Sequence, residues 1–456
     1  NMHREFLYLQ RHMSPERAHR VEKLNIPGVY LQREYHRFYP AGEVTGHLLG
    51  FTDIDDRGQE GLELAYDGWL AGEPGFKRVL RDRRGNTIEV EQVEPLQQGQ
   101  ALELSLDLRI QYLAYRELKA AVQANSAKSG SIVVIDVTTG EVLAMANQPS
   151  FNPNDRSEFR PARYRNRAVT DIFEPGSSIK PFVLAAALES GAFKSHSTVD
   201  TSPGSFKVGS KLITDKHNLG NISLATVLTK SSNVGISKIA MELEPRFMWN
   251  TFSQFGFGAL TGSGLPAESA GLLANYNSWR PISQATMSYG YGMSVTLLQL
   301  AEAYATLGNR GQHLPISMLR LVDPSSSESV ISEETSRSLI EMMETVVAEG
   351  GTGTLAAVNG YQVAGKTGTS WKADAGGYSH DRYVAVFAGL APASNPRLAT
   401  VVMLDEPSAG KFYGGEVAAP VFSNVTSGAL RLLAVAPDNV PRRRPGEILQ
   451  AMRDKP

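Results

Sequence analysis

Phe173-Glu174-Pro175-Gly176-Ser177-Ser178-Ile179-Lys180 is the stretch on which the reading of this chain turns. A Pro-Gly turn ahead of Ser-x-x-Lys predicts a helix start with Ser177 in its first turn. Free N–H groups and the helix dipole there stabilise developing negative charge on an alkoxide or an oxyanion. Lys180, three residues on, falls on the same helical face, within reach of the Ser177 hydroxyl. A serine hydroxyl is a weak nucleophile at neutral pH and needs a neighbour to take its proton. A lysine does this only if burial or another cation depresses its pKa.

Two later motifs supply the missing parts. Ser231-Ser232-Asn233 begins 54 residues after Ser177, and Lys366-Thr367-Gly368-Thr369 begins 133 residues after Asn233. Lys366 brings the second positive charge, while Ser231 and Asn233 are placed to hydrogen-bond Lys180 and complete a proton path towards a leaving group. Each motif alone reads as an ordinary helix face or turn. The three in this order describe an active-site serine that attacks amides, and they leave open whether Lys180 is itself the base. Gly360 to Thr367 also matches the Walker pattern formally, but Tyr361-Gln362-Val363-Ala364 is strand-like and Gly368 would interrupt the helix a phosphate loop requires, so a nucleotide site is rejected.

Composition narrows the classes further. At 456 residues the chain exceeds the usual size of one core, which predicts two domains. Forty-five Lys and Arg against 47 Asp and Glu leave no basic field to gather nucleic acid. With no cysteine and nine histidines in no ligand-like spacing, neither metal nor cofactor is expected. No run of about 18 apolar residues spans a bilayer. The Asn1-Met2 opening is an unlikely natural start, which leaves room for an upstream targeting or anchor segment ahead of it.

Ser14-Pro15-Glu16 predicts a capped helix through about Leu24, and residues 27–99, rich in Gly and charge, predict small strands around a modest core. Residues 1–100 are therefore expected to form a non-catalytic pedestal. The polar run Pro95 to Gln100 marks the boundary, and a helix with one apolar face follows from near Asp107. Hairpins are expected at Ser131 to Ala146 and Tyr383 to Leu404, with a last helix carrying Val421, Val425, Ala429 and Leu432. Strands at both ends of residues 101–437, with helices between, predict an α+β domain: a mostly antiparallel sheet covered by helices. Residues 438–456 are expected to form a loose, charged tail.

With these motifs in hand, the chain resembles the class B penicillin-binding proteins, and among them the septal peptidoglycan D,D-transpeptidases. The resemblance covers almost the whole chain. It is carried by the three motifs, by Arg37-Phe38-Tyr39-Pro40-Ala41-Gly42 and Gly58-Gln59-Glu60-Gly61-Leu62-Glu63 in the pedestal, and by Arg165-Asn166-Arg167, Tyr289-Gly290-Tyr291-Gly292 and Tyr413-Gly414-Gly415 beyond it. Asp171 to Gly176 looks more like the division type than the elongation type.

The resemblance implies the penicillin-binding/transpeptidase fold on an N-terminal pedestal, a periplasmic enzyme tethered to the inner membrane by an N-terminal helix, and partners among the septal glycan polymerase and other divisome proteins. It implies that Ser177 attacks the bond between the terminal D-alanines of a peptidoglycan stem peptide and that β-lactams acylate the same serine. Backbone N–H groups of Ser177 and Thr369 would form the oxyanion hole, and Thr367 and Thr369, around Gly368, would hold the substrate carboxylate. Lacking an E-x-x-L-N after the second motif, the chain has no counterpart of the deacylating water system, and the adduct should persist. Tyr289, Tyr291, Phe412 and Tyr413 are expected to form an aromatic wall beside the serine. Trp371 stands where septal enzymes often carry a basic residue, and is expected to face the cleft and weaken recognition of a ligand side-chain carboxylate. An elongation-type or paralogous transpeptidase, a D,D-carboxypeptidase, a β-lactamase and a β-lactam-binding sensor or scaffold are the alternatives.

Overall fold

The five strands that organise the catalytic part come from two stretches far apart in the chain, residues 129–148 and 364–405, and pair antiparallel in one sheet. A computed structural model describes residues 7–439 apart from 85, 156, 158–159, 324–325 and 375–376. In chain order the catalytic elements are α1 (Leu108–Ala124), β1 (Ser129–Asp136), β2 (Val142–Gln148), α2 (Lys180–Glu189), α3 (Asn233–Met241), α4 (Leu297–Gly308), α5 (Glu333–Val347), β3 (Ala364–Asp374), β4 (Gly377–Ala391), β5 (Leu398–Asp405) and α6 (Ala419–Leu432). The sheet runs β3-β4-β5-β1-β2.

Side chains alternate across a strand, so one strand feeds two cores. Val133, Ile135, Val401, Val384 and Val386 face one core, shared with α2, α4 and α5. Ile132, Val134, Val402, Ala385 and Phe387 face the other, shared with Ile110, Ala114 and Leu118 of α1 and Val421, Phe422 and Val425 of α6. Every residue of β1 and β2 is buried, which explains their continuous apolar runs. α4 is buried along its whole length and α2 from Lys180 to Ala187, so neither carries the one-sided pattern that announces a surface helix.

α1 begins at its predicted cap, where Asp107 Oδ1 accepts from Arg109 N at 2.9 Å. Both hairpins form, the second longer than expected because β4 starts at Gly377. One strand is displaced: Tyr361 to Ala364 was expected to be extended, but β3 starts at Ala364 and carries the Lys-Thr-Gly-Thr motif itself, while Tyr361 makes a single bridge with Val358.

Before α1 lie the capped helix Pro15–Glu22 and the strand pair Phe76–Arg81 and Thr87–Glu94. The Arg37 guanidinium forks onto Glu63 at 2.7 and 3.0 Å. Tyr39 and Asn154 exchange two hydrogen bonds of 2.9 Å across the joint with the catalytic part. Phe51, Phe151 and Tyr164 pack edge to face around that joint. Gly61 (φ +60°) must be glycine, since a Cβ there would lie 2.6 Å from Leu48 O. Of the tail, Asp438 accepts from Gln362 N and Ser394 Oγ at 2.8 and 2.6 Å; residues 440–456 fall outside the described residues.

Candidate active site

Ser177 sits in a 3-10 turn, Gly176–Ile179, that runs into α2. The α-helix proper starts at Lys180, so the serine lies one turn ahead of it and not in its first turn as expected. The cause is Pro181, which has no N–H to give the Ser177 carbonyl; Lys180 N–H takes that acceptor instead and winds the turn more tightly. Three contacts pin the turn. Tyr304 of α4 donates its hydroxyl to Ser178 O at 2.9 Å, Ser178 Oγ donates to Pro175 O at 2.7 Å, and Gly176 N–H donates to Gly290 O at 3.3 Å. A Cβ on Gly290 (φ +85°) would meet Gly176 O at 2.1 Å, so only glycine lets the two loops approach.

Lys180 and Lys366 are both fully buried. Lys180 Nζ donates to the Ser231 carbonyl at 2.6 Å, Asn233 Oδ1 at 2.8 Å and Ser231 Oγ at 3.2 Å. Its hydrogen bonds thus run to the second motif, and none joins it to Ser177, whose half-buried hydroxyl has no hydrogen-bond partner among the described residues. Lys366, on the edge strand β3, donates to the same Ser231 Oγ at 3.0 Å. Burial first, and then the Lys366 charge, hold the Lys180 pKa well below the ordinary lysine range, while Asp215 opposes the shift. Burial alone brings Lys366 down to about 7.

Strand β3 presses its edge on the serine turn. A Cβ on Gly368 would lie 2.7 Å from Pro175 O, and Ser370 Oγ donates to Glu174 O at 2.8 Å. Thr367 Oγ1 shares a 3.0 Å hydrogen bond with Thr352 Oγ1, and Thr369 Oγ1 accepts from Gly414 N at 3.0 Å, which leaves its own O–H to donate elsewhere. Because Lys366 lies within a strand and no helix follows it, the phosphate-loop geometry is absent here.

The expected aromatics split into two groups. Tyr291 contacts Tyr289, Tyr378 and Trp371, with ring centroids 5.7, 5.2 and 6.4 Å apart. Phe412 stacks on Tyr383 at 4.1 Å and leans on Tyr413, which is 44% exposed. Tyr289 is buried among core residues, with its ring against that of Tyr291. Trp371 is 42% exposed beside Tyr291, whose Oη accepts the Trp371 N–H at 3.1 Å. The next residue, Lys372, turns away to Asp405 and Glu406, 2.8 Å from each.

Sequence reasoning missed several residues of the site. Asp215 accepts from Asn233 N at 2.6 Å, from Val234 N at 3.1 Å and from Ser232 Oγ. Glu174 accepts from Gly292 N at 2.8 Å and Tyr378 Oη at 2.9 Å, and burial raises its pKa. Lys216 Nζ lies 4.6 Å over the Tyr413 ring. For Glu174, adjacency to the motif was a signal; Asp215 and Lys216, in a hairpin end 16 and 15 residues before Ser231, had none.

Residues 130–427 match the model of the penicillin binding protein transpeptidase domain, and residues 3–104 that of the penicillin-binding protein dimerisation domain. The chain is 45% identical over 433 residues to the peptidoglycan D,D-transpeptidase FtsI of Escherichia coli, covering 95% of this chain and 73% of that protein. It is 42% identical over 437 residues to the probable peptidoglycan D,D-transpeptidase PenA of Neisseria gonorrhoeae, covering 95% and 75%. Among solved structures, the apo transpeptidase domain of Burkholderia pseudomallei penicillin-binding protein 3 matches with a TM-score of 0.69 at 42% identity, covering 74% of this chain and 98% of that one.

Proposed function

The chain belongs to the penicillin-binding protein transpeptidase family, and from that premise we propose that it is a serine-type peptidoglycan D,D-transpeptidase acting at the division septum. The observation that carries the reading is the meeting of two buried lysines on one serine hydroxyl, Ser231 Oγ, beside the turn that holds Ser177.

The proposed roles follow from donor and acceptor counts. Burial and the Lys366 charge hold the Lys180 pKa well below the ordinary lysine range, which favours the neutral form, and in that form the amine has two N–H groups and a lone pair. The N–H groups suit the Ser231 carbonyl and Asn233 Oδ1, which only accept. The lone pair is left for a hydroxyl proton, that of Ser177 during attack or that of Ser231. Ser177 Oγ adds to the carbonyl of the penultimate D-alanine, and Lys180 takes its proton. Backbone N–H groups of Ser177 and Thr369 steady the oxyanion. The C–N bond then breaks, and the departing D-alanine amine receives a proton returned through Ser231 Oγ. An amine of a second stem attacks the ester by the same steps in reverse. Lys366, Thr367 and Thr369 bind the terminal carboxylate.

Residues 1–100 serve as the pedestal and 101–437 as the catalytic domain in this reading, with a periplasmic, membrane-tethered setting and contacts to the septal glycan polymerase and other divisome proteins. Among the described residues no helix is long and apolar enough to cross a membrane. Incubation with peptidoglycan strands bearing stem pentapeptides tests the reaction. Cross-linked dimers with released D-alanine are the expected products, and trimmed stems alone would point to a carboxypeptidase.

A further inference from the structure

Asp215 stands at the end of the hairpin Ser205–Val208 and Lys211–Thr214, anchored by its own N–H to Gly204 O at 3.0 Å. Its carboxylate meets three consecutive residues at the start of α3: the Ser232 hydroxyl, and the Asn233 and Val234 N–H groups at 2.6 and 3.1 Å. Ser232 Oγ accepts in turn from Gly235 N at 2.8 Å. The first three N–H groups of the helix are thus bound to two side chains, one of them an anion at the positive end of the helix.

Immediately before this cap, Ser231 is held at φ +56°, a left-handed conformation that a non-glycine residue adopts only when its surroundings impose it. In that conformation Ser231 offers both its carbonyl and its hydroxyl to Lys180. The charged groups facing Lys180 are Lys366 from β3 and Asp215 from this hairpin; its other neighbours, Ser231 and Asn233, are neutral. Without Asp215, two buried lysines would share one hydroxyl with no counter-charge close by.

We infer that Asp215 is a positioning residue for acyl transfer: by clamping the Ser232–Asn233–Val234 turn it sets Ser231 for Lys180, and its carboxylate is the counter-charge beside the two buried lysines. The inference rests on the serine acyl-transfer reading above and adds to it a residue outside the three motifs.

Asp215→Asn keeps the size of the side chain and one acceptor oxygen but removes the charge and exchanges the second acceptor for a donor; Asp215→Glu restores the charge. Acylation by a fluorescent penicillin is followed from pH 5 to 10, together with the NMR titration of 13C-labelled lysine, with the Lys180 signal assigned by its loss in Lys180→Arg. In Asp215→Asn the maximal acylation rate is expected to fall about tenfold or more. Loss of an anion favours the neutral amine, so the Lys180 midpoint and the acid limb of the rate profile both move to lower pH, and Asp215→Glu recovers part of each. A slower rate with an unmoved Lys180 midpoint would overturn the electrostatic role, and an unchanged rate would overturn the clamp. A parent protein whose Lys180 midpoint responds to Asp215→Asn but that takes no acyl group would sink the acyl-transfer reading while the coupling of the two residues stands.

Discussion

Lys366 Nζ and Ser231 Oγ lie 3.0 Å apart, and this contact joins the last motif of the chain to the middle one across 135 residues of sequence. It makes Ser231 the shared partner of both buried lysines, so the effects of the motif residues should be strongly non-additive.

Ser177 is expected to be the covalent nucleophile. Intact-mass measurement after addition of a β-lactam should show one adduct per chain in the parent and none in Ser177→Ala. An adduct that survives the substitution would move the nucleophile elsewhere.

Lys180→Ala should slow acylation by orders of magnitude while the protein stays folded. Asn233→Ala should do less damage, costing on the order of 2 to 4 kcal/mol of transition-state stabilisation, because Lys180 keeps both oxygens of Ser231. Stopped-flow acylation rates for the two variants separate these roles, and equal, mild losses would contradict them.

Stability should rise with pH above neutrality. Lys366 binds its proton weakly when folded, at about 7 against 10.5 for an ordinary lysine, so between those values the unfolded chain holds more protons than the native one. In that window unfolding becomes harder by about 1.4 kcal/mol per pH unit for this group. Denaturant unfolding from pH 7 to 10 should show the rise, and Lys366→Met should make it shallower, with the slope from buried Lys180 remaining; a slope indifferent to the substitution would refute the assignment.

Trp371, exposed beside Tyr291, should disfavour ligands that carry a side-chain carboxylate. Trp371→Arg is expected to raise acylation by a carboxylate-bearing β-lactam several-fold relative to a neutral analogue, about 1 kcal/mol or less for an exposed pair. Parallel changes for both drugs would mean the indole does not face them.

Tyr291→Ala and Tyr413→Ala should each weaken drugs bearing aromatic or gem-dimethyl groups by up to about tenfold, the worth of one aromatic contact. Tyr291→Ala and Tyr291→Phe both free the Trp371 backbone N–H, so the excess effect of Tyr291→Ala over Tyr291→Phe reports the ring packing, and equal effects would place the weight on that hydrogen bond in holding β3. Binding competition with matched drug pairs measures both.

The amino-acid sequence by itself determined the local chemistry: which residues stand in the three motifs, where Asp107 caps α1 and where the hairpins fall, because each depends on neighbours within a few residues. Periodicity could not reveal α2 or α4, since a helix buried on all sides has no polar face to alternate with. Only the tertiary structure decided that Lys-Thr-Gly-Thr lies on an edge strand, that the hydrogen bonds of Lys180 run to Ser231 and Asn233 and none to Ser177, that Tyr289 is buried and that Asp215 clamps α3. Each of these follows from which distant segments exclude water together: two amines lose their protons easily because the sheet, α2 and α3 close around them, and no spacing in the chain records that enclosure.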